Sequence, residues 1–337
     1  MINKSFVWKG LKKAELVSKK IQKIDEDSML VKVESCAVCG SDLRIFNHGN
    51  ARVKSGRTVG HEISGIVVNV GNNVSKFKQG DRLSIGADIP CKKPDYALGH
   101  ELDGGFAEYI KLNKLTIEKG PVQKIKKTTS YDSAALAEPL ACSINGYERS
   151  QKNSDVQNII IFGAGPIGHM LALLGSLKKP KNIIVIDPIE SKLKKMRKIV
   201  DVVTVISSKN NLKKHIFNIT KGIGADLIFT ACPSVEAQQT AIDLLAKRGV
   251  LNFFGGVPQN SKPILLSSND IHYKEAMITG SHGSSPLQHK LALKLIESKK
   301  IKVDDLITHS FSLNNIKDAY KIAASKDSIK VVVNPHA

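Results

Sequence analysis

Asn158-Ile-Ile-Ile-Phe-Gly163-Ala-Gly165-Pro166-Ile167-Gly168, a helix-compatible run, and then Asn182-Ile-Ile-Val-Ile-Asp187 decide the fold of half the chain. The first apolar run is short and rich in β-branched residues, which suits a strand buried on both faces of a parallel sheet. Gly163 permits the tight turn that follows it. Gly165 lets a backbone approach a pyrophosphate, Pro166 and Ile167 open the helix, and Gly168 lets that helix pack against the strand. The helix N-terminus offers free N–H groups and the positive end of a dipole to phosphate. Asp187 closes the second strand, where a carboxylate accepts hydrogen bonds from ribose hydroxyls and repels a 2′-phosphate. A Gly-rich loop alone is weak; strand, loop, helix, second strand and acid in this order predict a dinucleotide site.

Past Asp187 the pattern repeats. Val202–Ile206, Gly224–Cys232, Val250–Gly256 and Met277–Ser281 read as further strands, with helical runs between most of them, so a doubly wound parallel sheet is expected. Thr230, Gly255 and Val257 fall at strand ends that should line the nicotinamide pocket. The 337 residues, 42% of them hydrophobic, suffice for two domains. No apolar run approaches the ~20 residues of a membrane helix, and the N-terminal residues lack a signal-peptide core. A soluble, cytoplasmic protein is expected, and its five cysteines do not suggest a disulfide framework.

The formal net charge of +19 invites a nucleic-acid reading. Only seven of the 50 basic residues are Arg, however, and the lysines are spread along the chain. The densest run, Lys192-Leu-Lys-Lys-Met-Arg197-Lys, sits on an expected helix of the nucleotide unit, with no RNA-binding or zinc-finger pattern beside it. Solvated lysine-rich faces account for the charge, leaving weak, salt-sensitive binding to polyanions and no specific nucleic-acid partner. The run does raise NADP as a rival cofactor; Asp187 favours NAD.

The N-terminal part reads differently. Leu16-Val17, Ile21–Ile24 and Met29–Ser35 are strand candidates, and Val74–Ile85 supplies another arm with Gly80-Asp81 as its turn. Many short strands with glycine turns suggest a small barrel. Cys36-Ala-Val-Cys39 lacks the second Cys pair of a zinc ribbon, and Cys36 reads as buried filler. Cys39 is followed 22 residues later by His61-Glu62 on a strand-like segment. Thiolate, imidazole and carboxylate are the ligands of a catalytic zinc that keeps one position open.

Cys39-Gly-Ser41-Asp42, Gly60-His61-Glu62-Ile-Ser-Gly65, Gly80-Asp81, Ala137-Glu138-Pro139-Leu140 and the Gly163–Gly168 loop stand in an order that resembles the zinc-dependent medium-chain dehydrogenases, on the polyol (sorbitol-like) branch. The resemblance runs over nearly the whole chain. It implies a GroES-like β-barrel catalytic domain over residues 1–143, a Rossmann NAD-binding domain over 144–282, and a return to the catalytic domain over 283–337. It further implies that Cys39 and His61 bind zinc, that Glu62 and Glu138 complete the sphere directly or through water, that Asp42 orients His61, that Ser41 passes the substrate proton and that Lys192 contacts the adenosine ribose. Without it, Glu138 reads equally as a helix cap, with Pro139 opening the helix.

Two departures matter. The lobe that holds a second zinc in many relatives is reduced to residues 87–105 with Cys91 alone, so one catalytic zinc and no structural zinc are expected. Arg44 stands where some relatives carry a relay histidine, and Arg cannot act as a base near neutral pH; contact with cofactor phosphate or a surface position remain open for it. His100-Glu101 repeats the His-Glu pair without an upstream Cys, which leaves a surface or substrate-pocket role. His48 and His309 read as solvated or packed.

The expected activity is reversible hydride transfer between a secondary alcohol (a polyol, sugar alcohol or cyclitol) and NAD, in a homo-oligomer, dimer or tetramer. The alternatives are a threonine-type or simple alcohol dehydrogenase, a zinc-free reductase, and a basic nucleic-acid-binding protein on a vestigial dehydrogenase fold.

Overall fold

The computed structural model describes residues 2–91, 96–151, 155–207, 211–258 and 261–337. Two compact units emerge: Met1–Ala141 with Gly283–Ala337, and Cys142–His282. The first unit is therefore built from both ends of the chain.

In the discontinuous unit a seven-stranded sheet is centred on Met29–Ala37, which pairs with Glu62–Val70 on one side and with Lys330–Asn334 on the other. Tyr109–Leu112 also pairs with Met29–Ala37, and Arg82–Ile85 with Val122–Lys124 extends the far edge. A three-stranded sheet adds Lys13–Lys20, Ile2–Gly10 and Arg57–Thr58. Inward side chains such as Phe6, Met29, Val31, Val33, Ile63, Leu83 and Phe106 form one buried cluster, as the alternation of half-buried strands requires. This is the GroES-like β-domain of the expected fold class.

The second unit carries six parallel strands in the spatial order Val203–Ile206, Asn182–Asp187, Asn158–Phe162, Ala225–Thr230, Leu245–Phe253, Met277–Gly280. Ile159 and Ile161 face one buried cluster with Leu171 and Leu193; Ile160 and Phe162 face the other with Ile216 and Ile228. Both faces are covered, which is why Asn158–Phe162 reads as a continuous apolar run. The doubly wound α/β reading holds.

Local expectations need three corrections. Ile21–Ile24 forms no strand: the pairing with the first strand runs to Ile2↔Lys20, and among the described residues none pairs with 21–24. Regular strand in 74–85 is confined to Arg82–Ile85. Pro139 does not open its helix: that helix is Ala137–Arg149, and Leu140 N donates to Leu136 O. Pro139 still lies in the first turn, where amides lack intrahelical acceptors, so its missing N–H costs little.

Candidate metal centre and nucleotide loop

The register of two strands builds the first site. Met29–Ala37 and Glu62–Val70 run antiparallel with Ala37 opposite Glu62, so the residues just beyond, Cys39 and His61, emerge at the same end of the pair. Cys39 is extended and caps the helix Gly40–His48. Asp42, in the first turn of that helix, bonds back to the Cys39 amide through Oδ2 at 2.9 Å. Its other oxygen, Oδ1, lies 3.4 Å from His61 Nδ1. On the opposite edge of the ring, Ser41 Oγ is 3.3 Å from His61 Nε2. Cys39 Sγ, a His61 ring nitrogen and a Glu62 carboxylate oxygen all lie within 4.8 Å of one another, the one such group of three among the described residues.

Burial and charge tune this group. Burial disfavours the His61 imidazolium, but Asp42 and Cys39 outweigh it and hold the pKa well above the ordinary histidine value. Asp42 is lowered in turn, its burial outweighed by His61. A cation binding at His61 must displace a proton, so affinity should rise with pH. Glu138 is buried in the first turn of Ala137–Arg149 and is pushed up to about 8 by its burial, with His61 opposing and Glu62 and Asp88 adding to the rise. Glu138 is thus coupled electrostatically to the group without belonging to the tight set of three.

Sequence reasoning missed Lys330. It opens the strand Lys330–Asn334, which pairs with Met29–Ala37 on the edge opposite Glu62. Its ammonium lies 2.6 Å from each Glu62 oxygen, with the hydrogen bond directed to Oε1, and it donates to Val38 O at 3.0 Å. Both side chains are buried; Glu62 outweighs the burial of Lys330 and raises its pKa. The only signal was a lysine heading an apolar strand. Because the hydrogen bond goes to Oε1, lone pairs remain on Oε2 for a further partner. A soft thiolate, an imidazole fixed by a carboxylate and a second carboxylate form a donor set that suits zinc.

His100 lies beside the same group. Its ring centroid is 5.8 Å from that of His61, and burial, followed by His61, lowers its pKa. The turn carrying it is firmly anchored. Glu101 grips Arg52 through both oxygens, at 2.5 and 3.0 Å, and accepts from Ala97 N at 2.9 Å. Asp103 Oδ1 accepts from Arg57 Nη1 and Thr58 N, both at 3.1 Å. Gly104 N and Gly105 N donate to Thr58 O and Gly60 O. Within the 87–105 lobe, residues 92–95 lie outside the described residues. Arg44 and His48 are exposed on the helix Gly40–His48. His309 Nδ1 is 3.0 Å from Thr308 Oγ1 on the strand Ile307–Ser312.

The second site is the loop after Asn158–Phe162. Gly163 has φ +106°, and a Cβ there would meet Ala231 O at 2.8 Å. A Cβ at Gly168 would fall 1.9 Å from Gly163 O, so the helix can approach the strand only with glycine there. A Cβ at Gly165 would project into open space, with nothing within 4 Å. That space adjoins the N-terminus of the helix Pro166–Ser176, where unpaired amides favour an anion. Asp187 is buried and pins the loop: Oδ2 accepts from Ala164 N and Oδ1 from Ile189 N, each at 2.8 Å. Each oxygen keeps a second lone pair for a sugar hydroxyl. Thr230 Oγ1 is buried with no hydrogen-bond partner among the described residues, and Gly255 N donates to Thr230 O at 2.7 Å. Lys192 and Val257 are half-buried.

Comparisons with known proteins give the family and the fold. A family model described as the alcohol dehydrogenase GroES-like domain matches residues 25–121, and one described as zinc-binding dehydrogenase matches residues 166–298. The sorbitol dehydrogenase of Halalkalibacterium halodurans is 29% identical, over 90% of this chain and 91% of that protein. The D-arabitol-phosphate dehydrogenase of Enterococcus avium is 28% identical, over 96% of this chain and 94% of that one. A structure from Sinorhizobium meliloti 1021, described as a zinc-binding dehydrogenase bound to NADP, superposes with a TM-score of 0.91 at 25% identity, covering 99% of this chain and 100% of that one.

Proposed function

The chain belongs to the zinc-dependent medium-chain dehydrogenases, and on that premise we propose that it interconverts a secondary alcohol of a polyol, sugar alcohol or cyclitol and the corresponding ketone, with NAD as the hydride acceptor and one zinc ion held by Cys39, His61 and the carboxylates Glu62 and Glu138. The observation that carries this reading is the convergence of Cys39, His61 and Glu62 to within 4.8 Å, with His61 and Glu62 buried. Among the described residues no helix is long and apolar enough to cross a membrane; we place the protein in the cytoplasm, as a homo-oligomer.

Zinc, when bound, would supply Lewis-acid polarisation of the alcohol oxygen, and a bound nicotinamide nucleotide would supply the hydride chemistry. The protein's own groups do the rest. Asp42 fixes the His61 ring through its Nδ1 edge, which leaves Nε2 for the metal. Ser41 Oγ, on that Nε2 edge, would accept the alcohol proton as it hands its own hydroxyl proton to solvent, so that it passes the proton on and ends as it began. Arg44 is exposed three residues further along the helix and cannot relay a proton as a base. Glu62, already neutralised by Lys330, adds no net negative charge, while Glu138, pushed up to about 8, can hold or release a proton in the operating range. In the second unit the Pro166–Ser176 helix N-terminus receives the diphosphate, Asp187 and Lys192 take the adenosine ribose, and Thr230, Gly255 and Val257 border the nicotinamide.

NADP is the specific rival, favoured by the lysine-rich run after Asp187 and by the nucleotide in the Sinorhizobium meliloti structure. Zinc per chain from elemental mass spectrometry, followed by oxidation assays on sorbitol, inositol, threonine and simple alcohols with NAD and NADP, tests the proposal. A value near one zinc with polyol turnover on NAD is expected. No zinc after metal addition, or no alcohol oxidation with either nucleotide, overturns it. Turnover on threonine alone replaces the substrate class.

A further inference from the structure

The His100 imidazole is held against the metal group by a turn that is tied down more tightly than a surface loop needs. Glu101, the next residue, is locked by Arg52 and by the Ala97 amide; Asp103 is locked by Arg57 and the Thr58 amide. A Cβ at Gly99, the preceding residue, would come within 2.9 Å of Gly60 O, so the turn lies directly on the segment that leads into His61. The ring itself sits 5.8 Å, centroid to centroid, from His61. Its Nδ1 is 3.4 Å from Leu98 O, the orientation in which Nδ1–H donates to the carbonyl. Nε2 is then a lone-pair acceptor, and no described residue bonds to it.

We propose that His100 is a substrate-contacting residue whose Nε2 accepts a hydrogen bond from the hydroxyl on the carbon next to the one oxidised, so that the enzyme selects vicinal diols over monohydric alcohols. The proposal builds on the assigned dehydrogenase activity and narrows its substrate class. The reacting hydroxyl belongs beside the edge of His61 that faces Ser41, and neighbouring hydroxyls of a polyol lie within one hydrogen-bond length of each other. The His100 ring, 5.8 Å from that of His61 and carried on an anchored turn, is close enough to the group for a hydroxyl one carbon away from the reacting one to reach it. Such a contact discriminates because an analogue without the hydroxyl leaves the acceptor unpaired on desolvation.

The test compares wild type, His100→Ala and His100→Gln on butane-2,3-diol and butan-2-ol, which differ by one hydroxyl. The metal-loaded enzymes are assayed for kcat/KM with the preferred nicotinamide nucleotide. Dissociation constants for both alcohols, from calorimetry without nucleotide, give a readout that needs no turnover. For the wild type, tighter binding and higher kcat/KM for the diol are expected. His100→Ala should lose about tenfold on the diol in both measures and less than about twofold on butan-2-ol, while His100→Gln, which keeps an acceptor, retains most of the diol preference. Zinc per chain should be unchanged in both variants. Equal losses on the two alcohols, a wild type without diol preference, or loss of zinc from His100→Ala overturns the proposal. A wild type that oxidises no alcohol of the wider panel removes the dehydrogenase assignment itself, and this inference with it.

Discussion

Glu62 and Lys330 are the residues whose chemistry is most exposed to mutation. A buried ion pair contributes little to stability as a pair, but removing one partner leaves the other charged and dry. Lys330→Met should therefore destabilise the zinc-free protein by about 3–5 kcal/mol, measured by urea unfolding. Zinc should restore much of that loss, because a cation at Cys39 and His61 can compensate the Glu62 carboxylate in place of the ammonium. An equal loss with and without zinc would separate Glu62 from the metal. This pair also marks a limit of sequence reading. Cys39, His61 and Glu62 were legible because their donor types are those of zinc and a His-Glu pair follows the Cys on a strand-like segment; Asp42 came only from the family resemblance. Lys330 was not, since only the strand pairing of Lys330–Asn334 with Met29–Ala37 brings it to Glu62.

At the scale of elements, the turn between Asn158–Phe162 and Pro166–Ser176 separates folding from binding. Gly168→Ala forces a carbon to within 1.9 Å of Gly163 O, so the helix must move off the strand. A loss of roughly 1–3 kcal/mol, the scale of overpacking, should appear in the urea midpoint. Gly165→Val meets open space instead. It should leave that midpoint nearly unchanged while weakening nicotinamide binding at least tenfold in fluorescence titration. If Gly165→Val binds the nucleotide normally, the diphosphate does not lie over this helix. The turn at Gly163 and the close packing at Gly168 were legible because both requirements are steric and local. Ile21–Ile24 failed for the opposite reason: its residues suit a strand, but among the described residues the pairing with the first strand stops at Ile2↔Lys20.

For the molecule as a whole, two buried histidines make stability depend on pH. His289, bonded to Ser84 Oγ at 2.9 Å, is pushed down to about 4 by burial, and so is His169, bonded to Gly165 O at 2.9 Å. Their folded pKa values lie below the ordinary histidine value of 6.5, so the unfolded chain takes up protons first. Each contribution is complete above pH 6.5 and is lost as pH falls toward 4. His289→Gln, which can keep the bond to Ser84, should remove on the order of 3 kcal/mol of that acid-side loss. A pH series of urea midpoints for wild type and variant checks this; parallel curves would mean that His289 is already charged when folded.

The pairing of Lys330–Asn334 with Met29–Ala37 has a consequence for biosynthesis. The strand at the centre of the seven-stranded sheet is made long before Lys330–Asn334, one of the three strands that pair with it. Cys142–His282 is continuous and can complete its fold while synthesis proceeds. The other unit cannot close its sheet until Lys330–Asn334 has been made, because that closure joins segments far apart in sequence and carries the entropy of so long a loop. Glu62 consequently waits without its lysine on every nascent chain. A truncation of even the last eight residues would leave that waiting state permanent, with thiol and carboxylate exposed to whatever cation arrives first.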